Sequence, residues 1–271
     1  IDFVKNKIRG EFILKFLIVG DVCGRPGREA FRKYVPELKK EHNIDVVVVN
    51  GENIAGGRGI SRKTLDEIYR AGADIVTSGN HIWDQKEIVS FIDDEPFLIR
   101  PANYPEGAPG KGYCIYPFKA KNIGVINVSG RTFMPPMDCP FQKVDEILKE
   151  IKNQCDIILV DIHAEATSEK IAMGFYLDSR VTCVVGTHTH VQTADNRILP
   201  KGTAYISDLG MVGPYNSSLG INVNNAIDKF ITCRPVRFEM AEGPNIFSAV
   251  VLELAEDNSV KSFERILFNE E

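Results

Sequence analysis

Short aliphatic and β-branched runs recur along the chain, each closed by a polar or glycine-containing break and followed by a stretch whose apolar positions repeat at helical spacing. Runs at 14–19, 45–49, 74–77, 123–128, 156–160 and 181–185 predict strands, and the stretches at 26–40, 61–71, 84–92, 141–152 and 168–178 predict helices. Local chemistry supports the boundaries: Pro26 suits a first helical turn, Ser61 is a good N-cap and Gly72 a good C-terminal stop. Strand–helix alternation of this kind predicts a largely parallel sheet covered by helices. Towards the end the pattern changes. Runs at 203–206, 236–240, 247–254 and 260–267 read as strands with few helices between them, predicting antiparallel pairing in a second sheet packed on the first. The expected fold class is α/β: two facing mixed β-sheets flanked by helices.

Composition and charge narrow the picture only slightly. Of 271 residues, 44% are apolar and 25% charged, enough for a core without disulfide staples. No linker, repeat or low-complexity tract divides the chain, so 14–271 is expected to form one domain, with 1–13 as an N-terminal extension or expression remnant. Lys and Arg total 32 against 37 Asp and Glu, and the net charge of −5 gives no bulk attraction to nucleic acid or an anionic membrane. No stable nucleic-acid binding and no membrane association are expected, so a phosphate ligand must be held by local features. The apolar stretch at 12–19 is broken by Lys15, ends at Gly20-Asp21, is too short to span a bilayer, and lacks a signal-peptide cleavage pattern. The six cysteines, at 23, 114, 139, 155, 183 and 233, form no CxxC pair, and Cys155 and Cys183 lie in or beside apolar runs where a thiol behaves as a small hydrophobe. A reducing, cytoplasmic setting follows.

The informative feature is where the polar residues fall. Five predicted strands run straight into groups that bind metals: Gly20-Asp21, Asn50-Gly51-Glu52-Asn53, Gly79-Asn80-His81, Asp161-Ile162-His163 and Gly186-Thr187-His188-Thr189-His190. Ligands of open α/β sheets collect at the carboxyl ends of the strands, so four of the five histidines are expected at one edge. A lone Asp after a strand is usually a turn residue and a lone His usually structural. A whole cluster of carboxylates and imidazoles is costly to bury unless cations balance it. Carboxylate, carboxamide and imidazole donors without thiolate suit manganese, iron or zinc in a catalytic site. Seven to eight donors exceed what one tetrahedral ion uses, whereas two ions bridged by a shared carboxylate would use them all.

In order and context these blocks resemble the five motifs of the calcineurin-like metallophosphoesterases. Two departures stand out: Asp21-Val22-Cys23 has cysteine where that superfamily usually has histidine, and the bridging position, usually Asp, is Glu52 followed by Asn53. With Gly79-Asn80-His81-Ile82-Trp83-Asp84, Gly130-Arg131-Thr132-Phe133 and Pro235-Val236-Arg237-Phe238-Glu239, they are similar to the YmdB-like branch, from about Leu14 to the C-terminus. The resemblance implies a cytoplasmic, homo-oligomeric phosphodiesterase acting on 2′,3′-cyclic nucleotides with two iron or manganese ions. It places Asp21, Glu52, Asn53 and His190 on one metal, and Glu52, Asn80, His163 and His188 on the other. His81 then stands beside them as the general acid, while water activated between the two cations attacks phosphorus.

Other features carry less. Gly56-Gly57-Arg58-Gly59 lacks the Gly-Lys-Ser/Thr ending of a phosphate loop and reads as a rim turn. Arg25 and Arg28 flank a helix start near Asp21 and fit either substrate phosphate or a solvated turn. The turn-rich segment at 133–137, just after Arg131, suits a base cap or an oligomer contact. Trp83 reads as a packing anchor, and Asp208 as support for a metal histidine or as a turn. Competing functions are a phosphomonoesterase, a nucleotide-responsive regulatory binding protein, and a binuclear peptidase or amidase.

Overall fold

A computed structural model describes residues 13–270, so the extension expected over 1–13 lies, apart from Ile13, outside the described residues. The aliphatic runs of the first half form β1 (Leu14–Val19), β2 (Asp21–Val22), β3 (Val46–Asn50), β4 (Ile75–Thr77), β5 (Tyr113–Phe118) and β6 (Lys121–Ser129). The second half adds β7 (Ile157–His163), β8 (Cys183–Thr187), β9 (Arg197–Ile198), β10 (Ala204–Ile206), β11 (Met211–Pro214), β12 (Asn245–Leu254) and β13 (Val260–Asn269). One sheet has the order β2-β11-β12-β1-β3-β4 with β13 also on β12, and the other β5-β6-β7-β8-β10-β9. Parallel pairing links β1, β3 and β4 in the first sheet and β6, β7, β8 and β10 in the second.

Alternation along the strands builds three apolar layers. Phe16, Ile18, Val46 and Val48 of the first sheet meet Val125, Leu159, Cys183 and Val185 of the second to form the middle layer. On the outer face of the first sheet, Leu17, Val19, Val47 and Val49 pack against α1 (Gly24–His42) and α2 (Arg62–Arg70). Ile158, Val160 and Val184 pack on the other side against α3 (Pro140–Ile151) and α4 (Thr167–Leu177). Strands covered on both faces read as continuous apolar runs, which is why they stand out in the sequence. At the start of α2, Ser61 Oγ accepts from Thr64 N at 3.2 Å while Ser61 N donates to Thr64 Oγ1 at 3.1 Å, a reciprocal cap.

The structure corrects several expectations. The stretch at 84–92 forms two 3₁₀ turns, Lys86–Ser90 and Ile92–Asp94, rather than an α-helix. The run at 236–240 is not a strand; its one ladder contact is an isolated bridge between Met240 and Ile221. Helix α5 (Val223–Thr232) stands where few helices were expected. The late strands β12 and β13 do not build a separate sheet. β12 adds antiparallel to β1 and β13 adds antiparallel to β12, and the second sheet comes from the middle of the chain. The run at 156–160 extends through His163, carrying that imidazole on the ladder itself.

Candidate metal centre

All five polar blocks converge at the carboxyl ends of β1, β3, β4, β7 and β8. Glu52, His163 and His188 can each offer an atom within 4.8 Å of the others, and so can Asp21, Glu52 and His190, so Glu52 belongs to both groups. Asn80 joins the first group, its Oδ1 lying 3.0 Å from His163 Nε2. Asn53 joins the second, its Nδ2 lying 3.2 Å from His190 Nε2. Ligation by Asn53 needs the amide oxygen in that position, a half-turn about one bond. His81 does not enter either group. Its backbone N donates to Glu52 Oε2 at 3.1 Å and its Nδ1 pairs with Asp84 Oδ2 at 2.9 Å, which holds the ring at the edge of the cluster.

Close approach explains the glycines that precede the ligands. A Cβ on Gly79 would lie 2.3 Å from both Glu52 Oε2 and His163 Nε2, and one on Gly186 would lie 1.8 Å from Ser207 O. Only glycine lets β4 and β8 deliver Asn80 and His188 this close to their neighbours. Behind the ligands lies a polar layer that sequence reasoning leaves unassigned. Thr187 Oγ1 donates to Asp161 Oδ1 at 2.7 Å and lies 3.0 Å from His163 Nδ1, while Asp161 Oδ2 accepts from Thr77 Oγ1 at 2.6 Å and Asn50 Nδ2 at 3.2 Å. Since the Thr187 proton is committed to Asp161, Thr187 Oγ1 accepts from His163 Nδ1–H. His163 thereby presents Nε2 to the cluster.

Nε2 of His163 faces Asn80 Oδ1 at 3.0 Å, His188 Nδ1 at 3.0 Å and Glu52 Oε1 at 3.3 Å. One proton at most can serve these three acceptors. Asp21 Oδ1, fully buried, has no hydrogen-bond partner and lies 3.9 Å from His190 Nε2 and 4.0 Å from His163 Nδ1. Burial pushes the Asp21 carboxyl up to about 7 against the pull of His190 and His163. Burial also opposes the ionisation of Glu52, yet His163 and His81 hold it down at about 2. His188 is depressed to about 3, by burial first and His163 next. For His163, burial is outweighed by Glu52 and Asp21 and the pKa rises. A cluster that must retain protons among buried acceptors suits cations in their place, and the orphaned oxygen, the convergent lone pairs and the shared Glu52 fit two ions.

The remaining candidates separate clearly. Cys23 is buried with Sγ 3.7 Å from His190 Nδ1, a nitrogen that already lies 3.1 Å from Leu219 O. Arg28 donates to Glu67 at 2.6 Å and to Ile54 O, and Arg25 to Glu29 at 2.8 Å. Trp83 packs on the core and edge-on against Tyr104 at 5.6 Å, as an anchor should. Gly56, Gly57 and Gly59 all take positive φ, as a tight turn requires. Phe133 is 88% exposed in a loop whose Arg131 and Thr132 N–H groups donate to Glu169. Asp208 supports the histidine loop through Thr189, whose N and Oγ1 lie 3.0 and 2.7 Å from Asp208 Oδ2. Two partners escape the sequence pattern: Lys170, 2.6 Å from Asp208, and Glu165, whose Oε2 lies 3.1 Å from His188 Nε2. Glu165 follows His163 by only two residues, a signal that proximity to a predicted ligand could have supplied.

Comparison with known proteins places this arrangement. A family model described as YmdB-like protein matches residues 17–266. The 2′,3′-cyclic-nucleotide 2′-phosphodiesterase of Bacillus subtilis (strain 168) is 51% identical over 260 residues, covering 95% of this chain and 98% of the relative. A crystal structure of a hypothetical protein from Thermus thermophilus superposes with a TM-score of 0.90 at 40% identity, covering 95% of this chain and 100% of that one. A novel phosphatase from Mycoplasma pneumoniae superposes with a TM-score of 0.91 at 34% identity, covering 96% of this chain and 95% of that one.

Proposed function

The chain belongs to the YmdB-like family, and from that premise we propose that it is a two-metal phosphodiesterase that hydrolyses 2′,3′-cyclic nucleotides. The observation that carries this reading is the shared carboxylate, since Glu52 belongs to both donor groups at a single sheet edge. Asp21, Glu52, Asn53 and His190 would hold one ion, and Glu52, Asn80, His163 and His188 the other. The Bacillus subtilis relative supplies the substrate class through its own name. Oxygen donors mixed with imidazole, without thiolate, suit iron, manganese or zinc, and the resemblance to the YmdB-like family points to iron or manganese. The six cysteines stand free, which supports a cytoplasmic enzyme, and a homo-oligomer completes the reading.

When bound, such a pair of cations neutralises phosphate charge and makes hydroxide available near neutral pH. The chain's own residues do the rest. Asp161, through Thr187, holds His163 with Nδ1 protonated and Nε2 turned to the cluster. His81, oriented by Asp84, delivers a proton to the leaving ribose oxygen, a poor leaving group as an alkoxide. Glu52→Gln is the test: it keeps the size of the side chain and removes the charge shared between the ions. Elemental analysis should fall below two metals per chain and hydrolysis of a 2′,3′-cyclic nucleotide should disappear, with the circular dichroism spectrum unchanged. Full activity in this variant would end the two-metal reading. Rates on 3′,5′-cyclic nucleotides and on a phosphomonoester, measured alongside, distinguish the diesterase from a monoesterase.

A further inference from the structure

Between α1 and α2, on the outer face of the first sheet, lies a cavity of about 470 Å³ lined by Arg25, Arg28, Arg32, Lys63 and Arg70 with Glu29 and Glu67. Five cations line it with two carboxylates, and once Asp66, the partner of Arg70, is counted the surplus is two positive charges on a chain whose net charge is −5. Pairing explains only part of the cluster: Arg25 bonds Glu29, Arg28 bonds Glu67, and Arg70 pairs with Asp66. Among the described residues, neither Arg32 nor Lys63 has a carboxylate within ion-pair distance. Both instead act on Glu67, a carboxyl already held below its usual range chiefly by its hydrogen bond from Arg28. The volume falls within the ordinary range for ligand pockets, roughly 300–1,000 Å³.

Chain connectivity ties the groove to the metal centre. Helix α1 starts at Gly24, three residues beyond Asp21, and Arg25 stands in its first turn. The Arg28 guanidinium donates to Ile54 O, in the loop that carries Glu52 and Asn53. Both helices start after strands whose carboxyl ends form the site, so the basic groove runs from the site edge down the side of the molecule. From Arg25 to Arg32 the helix advances roughly 10 Å. A 2′,3′-cyclic phosphate is the 3′ end left when the 2′-hydroxyl of RNA attacks its own backbone.

Building on the cyclic-phosphodiesterase reading, we infer that the α1–α2 groove binds the upstream phosphates of a short RNA whose 3′-terminal 2′,3′-cyclic phosphate occupies the metal centre. Oligonucleotide ends, rather than free mononucleotides alone, are then substrates. The low local reach of the groove accords with the absence of bulk attraction to nucleic acid, because a surplus of two charges serves only a couple of phosphates.

The test compares 2′,3′-cyclic AMP with an adenosine trinucleotide ending in a 2′,3′-cyclic phosphate, in the metal-loaded wild type and in the double variant Arg32→Glu/Lys63→Glu. Both positions lie outside the catalytic machinery and are exposed. The wild type should show a KM for the trinucleotide about tenfold below that for the mononucleotide. The variant should lose that difference, leave kcat/KM on 2′,3′-cyclic AMP unchanged, and flatten the slope of log kcat/KM against log salt for the trinucleotide by about 1.4, at roughly 0.7 per phosphate. Equal KM values in the wild type, or equal effects of the variant on both substrates, overturn the inference. A wild type that cleaves neither substrate would overturn the reading beneath it. Fluorescence anisotropy with a labelled trinucleotide 3′-phosphate then judges the groove alone, and binding unchanged in the double variant overturns it.

Discussion

Removing one amine should loosen the metal centre without touching a ligand. Lys170 and Asp208 are both buried, with side chains 2% and 1% exposed, and Lys170 Nζ lies 2.6 Å from Asp208 Oδ2. The same oxygen accepts from Thr189 N and Oγ1, and Oδ1 accepts from Gly210 N at 2.8 Å. Thr189 sits between two histidines held at positive φ, His188 at 102° and His190 at 65°. Such a conformation costs of order 1–3 kcal/mol per residue and persists only where the surroundings enforce it. Lys170→Met keeps the length of the stem and leaves a buried carboxylate with neutral donors only. Breaking a buried pair this way costs about 3–5 kcal/mol, which for a domain of this size lowers Tm by about 6–20 °C. The loop should relax as well, weakening metal binding by about 10–100-fold. Differential scanning fluorimetry with and without added metal, together with metal titration, reads both effects. Lys170→Met/Asp208→Asn removes both charges and should recover part of the lost stability. A single variant melting within about 2 °C of the wild type would show that the pair does not hold the loop.

Other outcomes follow from the same geometry. Cys23→Ser should keep both metals and most activity, since the sulfur lies beside a His190 nitrogen already turned to Leu219 O; loss of one metal equivalent by elemental analysis would make the thiolate a ligand. Thr187→Val leaves His163 Nδ1 without its acceptor and should lower metal affinity about 10–100-fold in a calorimetric titration; undiminished affinity would dismiss the relay. His81→Ala should retain both metals, slow a nitrophenyl diester modestly, and slow a 2′,3′-cyclic nucleotide by about 10²–10⁴; equal slowing of both would remove His81 as the acid. Burial would raise the pKa of Glu270, but the Asn245 backbone, Lys33, the Asn245 amide and Tyr34 hold it down at about 2. A depressed carboxyl adds stability that is complete above its unfolded value of 4.5 and is lost as pH falls towards 2. Chemical denaturation of Glu270→Gln between pH 6 and pH 3 should lack that loss, and an identical slope in wild type and variant would refute the assignment.

What is legible in the sequence is whatever lies along a single strand and its exit. Doubly covered strands give unbroken apolar runs, and donors at their carboxyl ends follow immediately, so Asp21, Glu52, Asn80 and His188 can be found without knowing the sheet order. The illegible part depends on which strands are neighbours. Nothing in the local pattern of β12 and β13 says that β12 pairs back with β1 across more than two hundred residues and carries β13 on its other edge, so that pattern points to the wrong sheet. The helix expected at 84–92 has its apolar spacing, but its first turn is drawn to the site, where Asp84 engages His81. Lys170 looks like an ordinary solvated lysine on α4 because its partner stands thirty-eight residues away.

The same limit explains why residue type alone does not separate ligand from scaffold. Asp21, Asp161 and Asp208 are all buried near strand ends, and each looks eligible. Asp161 accepts hydrogen bonds from Thr77, Asn50 and Thr187, and Asp208 from Lys170, Gly210 and twice from Thr189. Asp21 accepts one, from His188 N at 3.2 Å, and its Oδ1 accepts none. A buried carboxylate whose lone pairs are used up is structurally complete, whereas one with an unused oxygen facing two imidazoles is suited to a cation. The number of unused lone pairs, which depends on partners contributed by other strands, is therefore what sets Asp21 apart from Asp161 and Asp208 as a candidate ligand.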